Sequence, residues 1–415
     1  MIGRIAVLGG SSVYVPELVL SVISRNINVK EIALIGRREK KLSIVAEFCQ
    51  RILDKSGFPA RIVGTCDVAE GIAGAKYIIN HIRVGGMEAR LRDEKIPPKY
   101  GMLGDETLGA GGFANAMRTL PVVFDHARLI EQISPEAIVI NLTNPLSIIM
   151  EALIKYSHVN AIGVCDLPHI YIKRVAKLLH HNPEDLWVDY IGLNHLGWIQ
   201  DVKIGERSCM SQVLDRIERH KEDGFDTELT ELFRMIPTRT VSMYFHREDI
   251  LRQQKACSRF RAEVLQEVEG QILQLYEDKH LCDVPELTRE RNAVWYDETI
   301  VPLIEALESR EPREIILCVR NGDSIRDLPE DASVEVPVRV SNRGLKQRKV
   351  GSCPRFLKGL FVAVKESDRL TVEAVRHKSY ELALQALTVN PLVPSLRAAR
   401  RFLDRFIKEE QVELH

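Results

Sequence analysis

Through the first half of the chain, short apolar runs alternate with stretches in which apolar residues recur every three or four positions. The runs Arg4–Leu8, Glu31–Ile35, Ile62–Gly64, Tyr77–Ile82, Ala137–Asn141 and Ala161–Val164 read as buried strands. Helical stretches fall between most of them, including Glu17–Ile23 and the charged, amphipathic Glu39–Leu53. Strands alternating with helices predict a doubly wound parallel sheet. Right-handed crossovers then bring the carboxyl ends of the strands to one edge, where ligands bind. Further along, the rhythm changes. Long polar helical stretches over 209–219, 260–278 and 292–307 precede strand-like runs at Glu314–Val319 and Val334–Val340. Helical patterns over Thr371–Leu387 and Pro394–Glu410 close the chain. The expected class is α/β, with a Rossmann-like dinucleotide-binding domain over residues 1–190. A second, α+β domain is expected over 191–415.

Composition narrows the picture. A chain of 415 residues exceeds one ordinary core, which predicts two closely packed lobes. With 45% hydrophobic and 28% charged residues it has the composition of a soluble globular protein. A formal net charge of -1 points to neither a nucleic-acid nor a membrane partner. The 8 cysteines lack close pairs or regular spacing, which argues against a disulfide framework. No apolar stretch approaches the length of a membrane span. A strand begins directly after Met1 with no charged leader, so a cytoplasmic location is expected.

Candidate chemistry clusters at the predicted strand ends. Gly9-Gly10-Ser11-Ser12 joins the first strand to the first helix, letting backbone approach a pyrophosphate at the helix N-terminus. The full glycine fingerprint is absent, and an ordinary strand–helix turn reads equally well. The second strand ends Ile35-Gly36-Arg37-Arg38, without the usual ribose-binding acid. Arg37 and Arg38 either accommodate a 2′-phosphate or solvate the next helix, which leaves NAD and NADP both open. In His81-Ile82-Arg83-Val84-Gly85-Gly86, Arg83 is placed to clamp an anionic substrate group. The glycine-rich segment Gly101–Gly112 reads as backbone close to a ligand or as a mobile flap. Asn144 ends another strand and either bonds sugar and ribose hydroxyls or caps the following helix. Cys165 and His195 each follow an apolar strand. Alone, each reads as a core residue; together they offer a thiolate and an imidazole to a divalent metal completed by substrate oxygens.

Several of these motifs appear in one order: Gly-Gly-Ser-Ser, Ile-Arg-Val-Gly-Gly, Lys99-Tyr100-Gly101, Gly104-Asp105-Glu106-Thr107, Gly109-Ala110-Gly111-Gly112-Phe113, Arg118-Thr119 and Asn141-Leu142-Thr143-Asn144-Pro145. Cys165-Asp166-Leu167-Pro168 and Gly192-Leu193-Asn194-His195-Leu196-Gly197-Trp198 follow, then Val334-Glu335-Val336-Pro337 and Ser341-Asn342. In this the chain resembles the NAD- and Mn-dependent family-four glycoside hydrolases, which stand apart from the two-carboxylate glycosidase scheme. The resemblance implies bound NAD, Mn(II) or another divalent metal on Cys165 and His195, and a homodimer or homotetramer acting on a small sugar glycoside. It implies that NAD oxidises the hydroxyl on sugar carbon 3, that a base removes the acidified carbon-2 proton, and that the aglycone leaves before water adds. By resemblance Tyr296 is the base and Asp166 the acid. Arg83 meets the 6-phosphate, and Asn144 and Asn194 bind substrate. Asp166 could otherwise cap the helix beginning near Pro168.

Some positions depart from the family pattern. Asp105 stands where Gln is usual, and Asn292-Ala293 where Gly-Gly is usual. Cys165-Asp166 resembles the 6-phospho-α-glucosidase branch, whereas Arg291 resembles the β branch. The leading expectation is a 6-phospho-α-glucosidase. A 6-phospho-β-glucosidase or an α-galacturonidase is the alternative within the family, because Arg83 accepts a carboxylate as readily as a phosphate. Outside it stand a 2-hydroxyacid dehydrogenase-like oxidoreductase and a non-catalytic NAD-binding protein.

Overall fold

The computed structural model describes residues 1–220, 224–291 and 294–415, so Asn292-Ala293 lies outside the described residues. Thirteen strands among these form one sheet: β1 (Ile2–Leu8), β2 (Val29–Ile35), β3 (Arg61–Thr65), β4 (Tyr77–Asn80), β5 (Ile138–Asn141), β6 (Asn160–Gly163), β7 (Leu186–Leu193), β8 (Leu196–Ile204), β9 (Arg207–Ser208), β10 (Ile236–Pro237), β11 (Arg313–Arg320), β12 (Ser333–Ser341) and β13 (Gly344–Gln347). The order β6-β5-β4-β1-β2-β3 is parallel throughout. This is the doubly wound dinucleotide-binding arrangement, with the order reversing between β1 and β4. Helices cover both faces, which is why these strands are nearly continuous apolar runs rather than alternating ones. In β1, Ile5, Ala6 and Val7 are fully buried.

The remaining strands are antiparallel and continue the same sheet. Two backbone pairings make the joins: Cys318 of β11 opposite Gly163 of β6, and Glu335 of β12 opposite Gly192 of β7. Helices also couple the two halves. Phe48, on the helix Glu39–Ser56, stacks on Tyr276, on the helix Arg261–Tyr276, with ring centroids 3.9 Å apart. Such a pair contributes about 0.5–1.5 kcal/mol beyond burial. Among the described residues no helix is long and apolar enough to cross a membrane.

Three local expectations differ from the structure. His195 occupies a two-residue turn, Asn194-His195, and β8 follows it directly where no strand was expected. The glycine-rich segment turns at Gly109 into the helix Gly109–Ile133. Its close approach is to the protein's own backbone: a Cβ on Gly111 would lie 2.1 Å from the Asp105 carbonyl oxygen, and one on Gly104 1.8 Å from that of Glu94. The Thr371–Leu387 stretch is two helices, Arg355–His377 and Tyr380–Val389, broken at Lys378 with φ 49.

The join at Gly163 leaves no room for a side chain. A Cβ there would meet Cys318 Cβ and Met150 Cγ at 2.8 Å. Gly163→Ala should therefore lower unfolding free energy by about 1–3 kcal/mol in urea titrations. A loss below about 0.5 kcal/mol would show that the two halves separate freely there.

Candidate functional site

The strand ends build two adjoining regions. At the first, β1 runs into Gly9, whose φ is 93. A Cβ on Gly9 would stand 2.2 Å from the His81 carbonyl oxygen, just past β4. One on Gly10 would lie 2.7 Å from Ile35 N and Leu34 Cα. Glycine therefore lets the ends of β1, β2 and β4 close together. Gly9 N and Gly10 N donate to the Ile35 carbonyl at 3.1 and 2.8 Å, and Ser12 N to that of Gly9 at 3.0 Å. The helix Val15–Ser24 follows, and its N-cap Tyr14 supplies no side-chain acceptor. The turn and the start of this helix lie at the sheet edge where strand order reverses, a place that fits the pyrophosphate of a dinucleotide. Gly36 packs on Ser11, which brings the exposed Arg37 to the same region.

The second region is a cleft of about 290 Å³. Arg83, Asn144, Cys165, Asp166 and His195 all line it, as do Arg239, Arg261, Arg291 and Trp295 from the second half of the chain. Neither Asn144 nor Asp166 is taken up as a helix cap. The helix Leu146–Tyr156 starts after Pro145, and Asp166 precedes Leu167–Leu179 without a side-chain cap bond. Two expected residues stand off the cleft wall. Asn194 is buried and donates to Glu335 Oε1 at 3.1 Å. Tyr296 is fully buried, with its hydroxyl 3.0 Å from Nδ1 of His81, and it is His81 that lines the cleft.

Charge in this cleft is unevenly committed. Glu106 pairs with Arg83, and with Arg90 at 3.1 Å. Burial opposes the Glu106 charge, yet Arg83, Arg90 and Arg291 outweigh it and hold its pKa down to about 2. Arg291 pairs with Glu269 at 3.0 Å. Arg239 and Arg261 have no carboxylate partner among the described residues. Sequence reasoning assigned no role to either: Arg239 sits in a short turn after β10 and Arg261 opens a helix, and neither position is marked by a local pattern. Burial raises the Asp166 carboxyl pKa, with Arg239 pulling it back. Burial, reinforced by Glu335 and Asp166, lifts the Cys165 thiol well above its ordinary value. Burial also raises the Tyr296 phenol.

For a metal, the chain offers the Cys165 sulfur and the His195 imidazole. His195 Nδ1 is buried with no hydrogen-bond partner, as suits a nitrogen awaiting a ligand. No group of three His, Cys, Asp or Glu side chains forms a cation cage among the described residues. The pair fits a divalent ion whose coordination substrate oxygens complete.

Comparison with family models matches both halves of the chain to one family. The profile described as "Family 4 glycosyl hydrolase" matches residues 4–181, and "Family 4 glycosyl hydrolase C-terminal domain" matches residues 190–393. A probable 6-phospho-beta-glucosidase of Bacillus subtilis is 32% identical, covering 99% of this chain and 97% of its own length. The structure of a Thermotoga maritima 6-phospho-beta glucosidase with manganese, NAD+ and glucose-6-phosphate superimposes with a TM-score of 0.91 at 30% identity, covering 100% of both chains. A 6-phospho-alpha-glucosidase from gut microorganisms, in complex with NAD and glucose-6-phosphate, gives 0.91 at 29% identity, covering 100% of this chain and 99% of that one.

Burial is the first cause lowering both cleft histidines. His195, also beside Arg239, falls to about 4, and His81, beside Arg291 and Arg83, to about 3. Both are neutral at pH 7 when folded, whereas unfolded histidine protonates near about pH 6.5. Each therefore withdraws stability as pH falls from about 6.5 toward those lower values. Histidine ring proton shifts of the metal-free protein should show two rings that do not titrate between pH 8 and 5. Midpoints near 6.5 for all rings would contradict the buried, neutral assignment.

Proposed function

The chain belongs to family 4 of the glycosyl hydrolases, and we propose that it cleaves 6-phosphorylated glucosides by NAD-assisted elimination and addition with Mn(II). The observation that carries this reading is the shared cleft, where Cys165, Asp166 and His195 converge with the uncommitted Arg239 and Arg261. When bound, NAD supplies reversible oxidation of a sugar hydroxyl, and Mn(II) on Cys165 and His195 supplies positive charge beside the sugar oxygens. Gly9, Gly10, Ser11, Ser12 and the following helix N-terminus hold the dinucleotide phosphates, with Arg37 flanking its ribose. Arg37 leaves room for NADP; the relatives whose structures carry a dinucleotide carry NAD.

Asn144 and Arg83 orient the sugar, and Asn194 supports them from behind His195. Arg83 is already neutralised by Glu106, so Arg239 and Arg261 bring more free charge to a 6-phosphate. Burial raises the Asp166 carboxyl, as suits an acid that gives its proton to the leaving oxygen. To accept the carbon-2 proton, Tyr296 must first give up its own hydroxyl proton; His81 Nδ1, 3.0 Å away, is the acceptor at hand, and the charge of a bound divalent ion would oppose the burial that raises the phenol. In this scheme residues 1–190 hold the dinucleotide, and 191–415 complete the substrate and metal site.

An exposed apolar patch on the second half, with Leu232 68%, Phe356 40% and Phe245 38% exposed, supports homodimers or homotetramers. Eight unpaired cysteines support a reducing, cytoplasmic setting. Asp166 favours the α-linkage. Identity favours a second, β reading: β-named relatives match at 30, 31 and 32%, α-named ones at 27, 28 and 29%.

With Mn(II), NAD and a thiol reductant present, p-nitrophenyl 6-phospho-α- or β-glucoside should be cleaved. Release from neither would sink the proposal. Asp166→Asn should cost about 10²-fold in kcat on a 6-phosphorylated disaccharide, and much less on the nitrophenyl substrate, whose leaving group needs little protonation. Equal losses on both would remove Asp166 from the acid role.

A further inference from the structure

The hairpin carrying His195 is braced by a carboxylate from another strand. Glu335 sits within β12 at 2% exposure, its backbone opposite Gly192 of β7 and Cys318 of β11. Its Oε2 accepts the Tyr190 hydroxyl at 2.5 Å, and its Oε1 accepts Asn194 Nδ2 at 3.1 Å. Both donors belong to the hairpin. Tyr190 lies across the turn so tightly that a Cβ on Gly197 would fall 1.6 Å from its hydroxyl oxygen. Asn194 directly precedes His195, which is held at φ 62, in the left-handed region that a β-substituted residue adopts only when its surroundings impose it. One buried carboxylate thus holds both sides of the turn that carries His195, facing the end of β6 that carries Cys165 across the cleft.

Glu335 has no cationic partner among the described residues; hydroxyl and amide donors alone satisfy it. Burial penalises a carboxylate held this way unless a cation lies nearby. Outer-shell groups that orient metal ligands typically set affinity by about 10–100-fold.

We propose that Glu335 is a positioning residue for the metal pair. Acting through Asn194 and Tyr190, it fixes the hairpin turn so that Cys165 and His195 meet the same divalent ion. The inference rests on the proposed assignment of Mn(II) to those two ligands, and the experiment separates failure of one from failure of the other.

Mn(II) binding to the full chain is measured by electron paramagnetic resonance of the free ion, with NAD and glucose 6-phosphate present. NAD affinity is measured separately by fluorescence. Wild type should bind Mn(II), and Cys165→Ser should lose it; no binding by wild type overturns the metal assignment and this inference with it. Glu335→Gln keeps the size of the side chain but has one acceptor oxygen for two donors. It should weaken Mn(II) binding by about 10–100-fold while NAD affinity stays within about twofold. Adding Tyr190→Phe removes the competing donor, returns the Gln oxygen to Asn194, and should restore at least part of the Mn(II) affinity. With wild-type binding intact, Mn(II) affinity of Glu335→Gln within about threefold of wild type overturns the Glu335 role alone. So does equal loss of NAD and Mn(II) affinity, or absence of rescue, because each marks general damage to the hairpin.

Discussion

Packing around the cleft edge of the sheet that is too close for any residue but glycine is the constraint on which the rest of the structure depends. Gly9 clears the His81 carbonyl, Gly163 clears Cys318, and Gly197 clears the Tyr190 phenol. Because this edge is crowded, side chains following β4, β5 and β6 and the β7–β8 turn open into one cleft. A side chain at any of the three glycines would force apart elements that must meet for Cys165 and His195 to serve one ligand. Sheet continuity matters for the same reason. The antiparallel half delivers His195 to an edge that the parallel half built, and residues after β10 bring Arg239 to it.

Crowding also excludes water, and low dielectric then decides the protonation of each group. Glu106 stays charged because three arginines surround it; Asp166, with less compensation, is pushed toward its protonated form. The cleft histidines stay neutral, which keeps the His195 imidazole free for a metal without a proton to displace. The raised Cys165 thiol is the opposing cost, since a bound metal must displace its proton. Burial raises the nearby Glu335 carboxyl to about 7, and in the proposed site a divalent cation would favour its charged form together with the thiolate.

Much of this was legible in the sequence. The parallel strands were readable because burial on both faces leaves uninterrupted apolar runs, and the ligand-edge residues follow those runs immediately. Arg83, Asn144, Cys165, Asp166 and His195 share the cleft for that reason. What escaped has physical causes. β8 mixes buried Trp198 and Ile199 with Gln200 and Asp201, so neither the strand nor the helix period stands out. The helix from Gly109 begins in glycines of poor intrinsic propensity, and packing against neighbouring carbonyls overrides that preference. Glu335 is one acid inside an apolar strand, and its partners Tyr190 and Asn194 lie far away in sequence. Arg239 and Arg261 reach the cleft only through tertiary folding. Tyr296 was placed on the substrate by its motif, whereas the fold sets it against His81.

The most direct test of redox-assisted cleavage in this cleft is to run the reaction in deuterated water with Mn(II) and NAD, and to examine the sugar product by mass spectrometry and NMR. Removal of the carbon-2 proton before the glycosidic bond breaks predicts deuterium at carbon 2 of the released glucose 6-phosphate. Product formed with protium retained at carbon 2 would contradict the account.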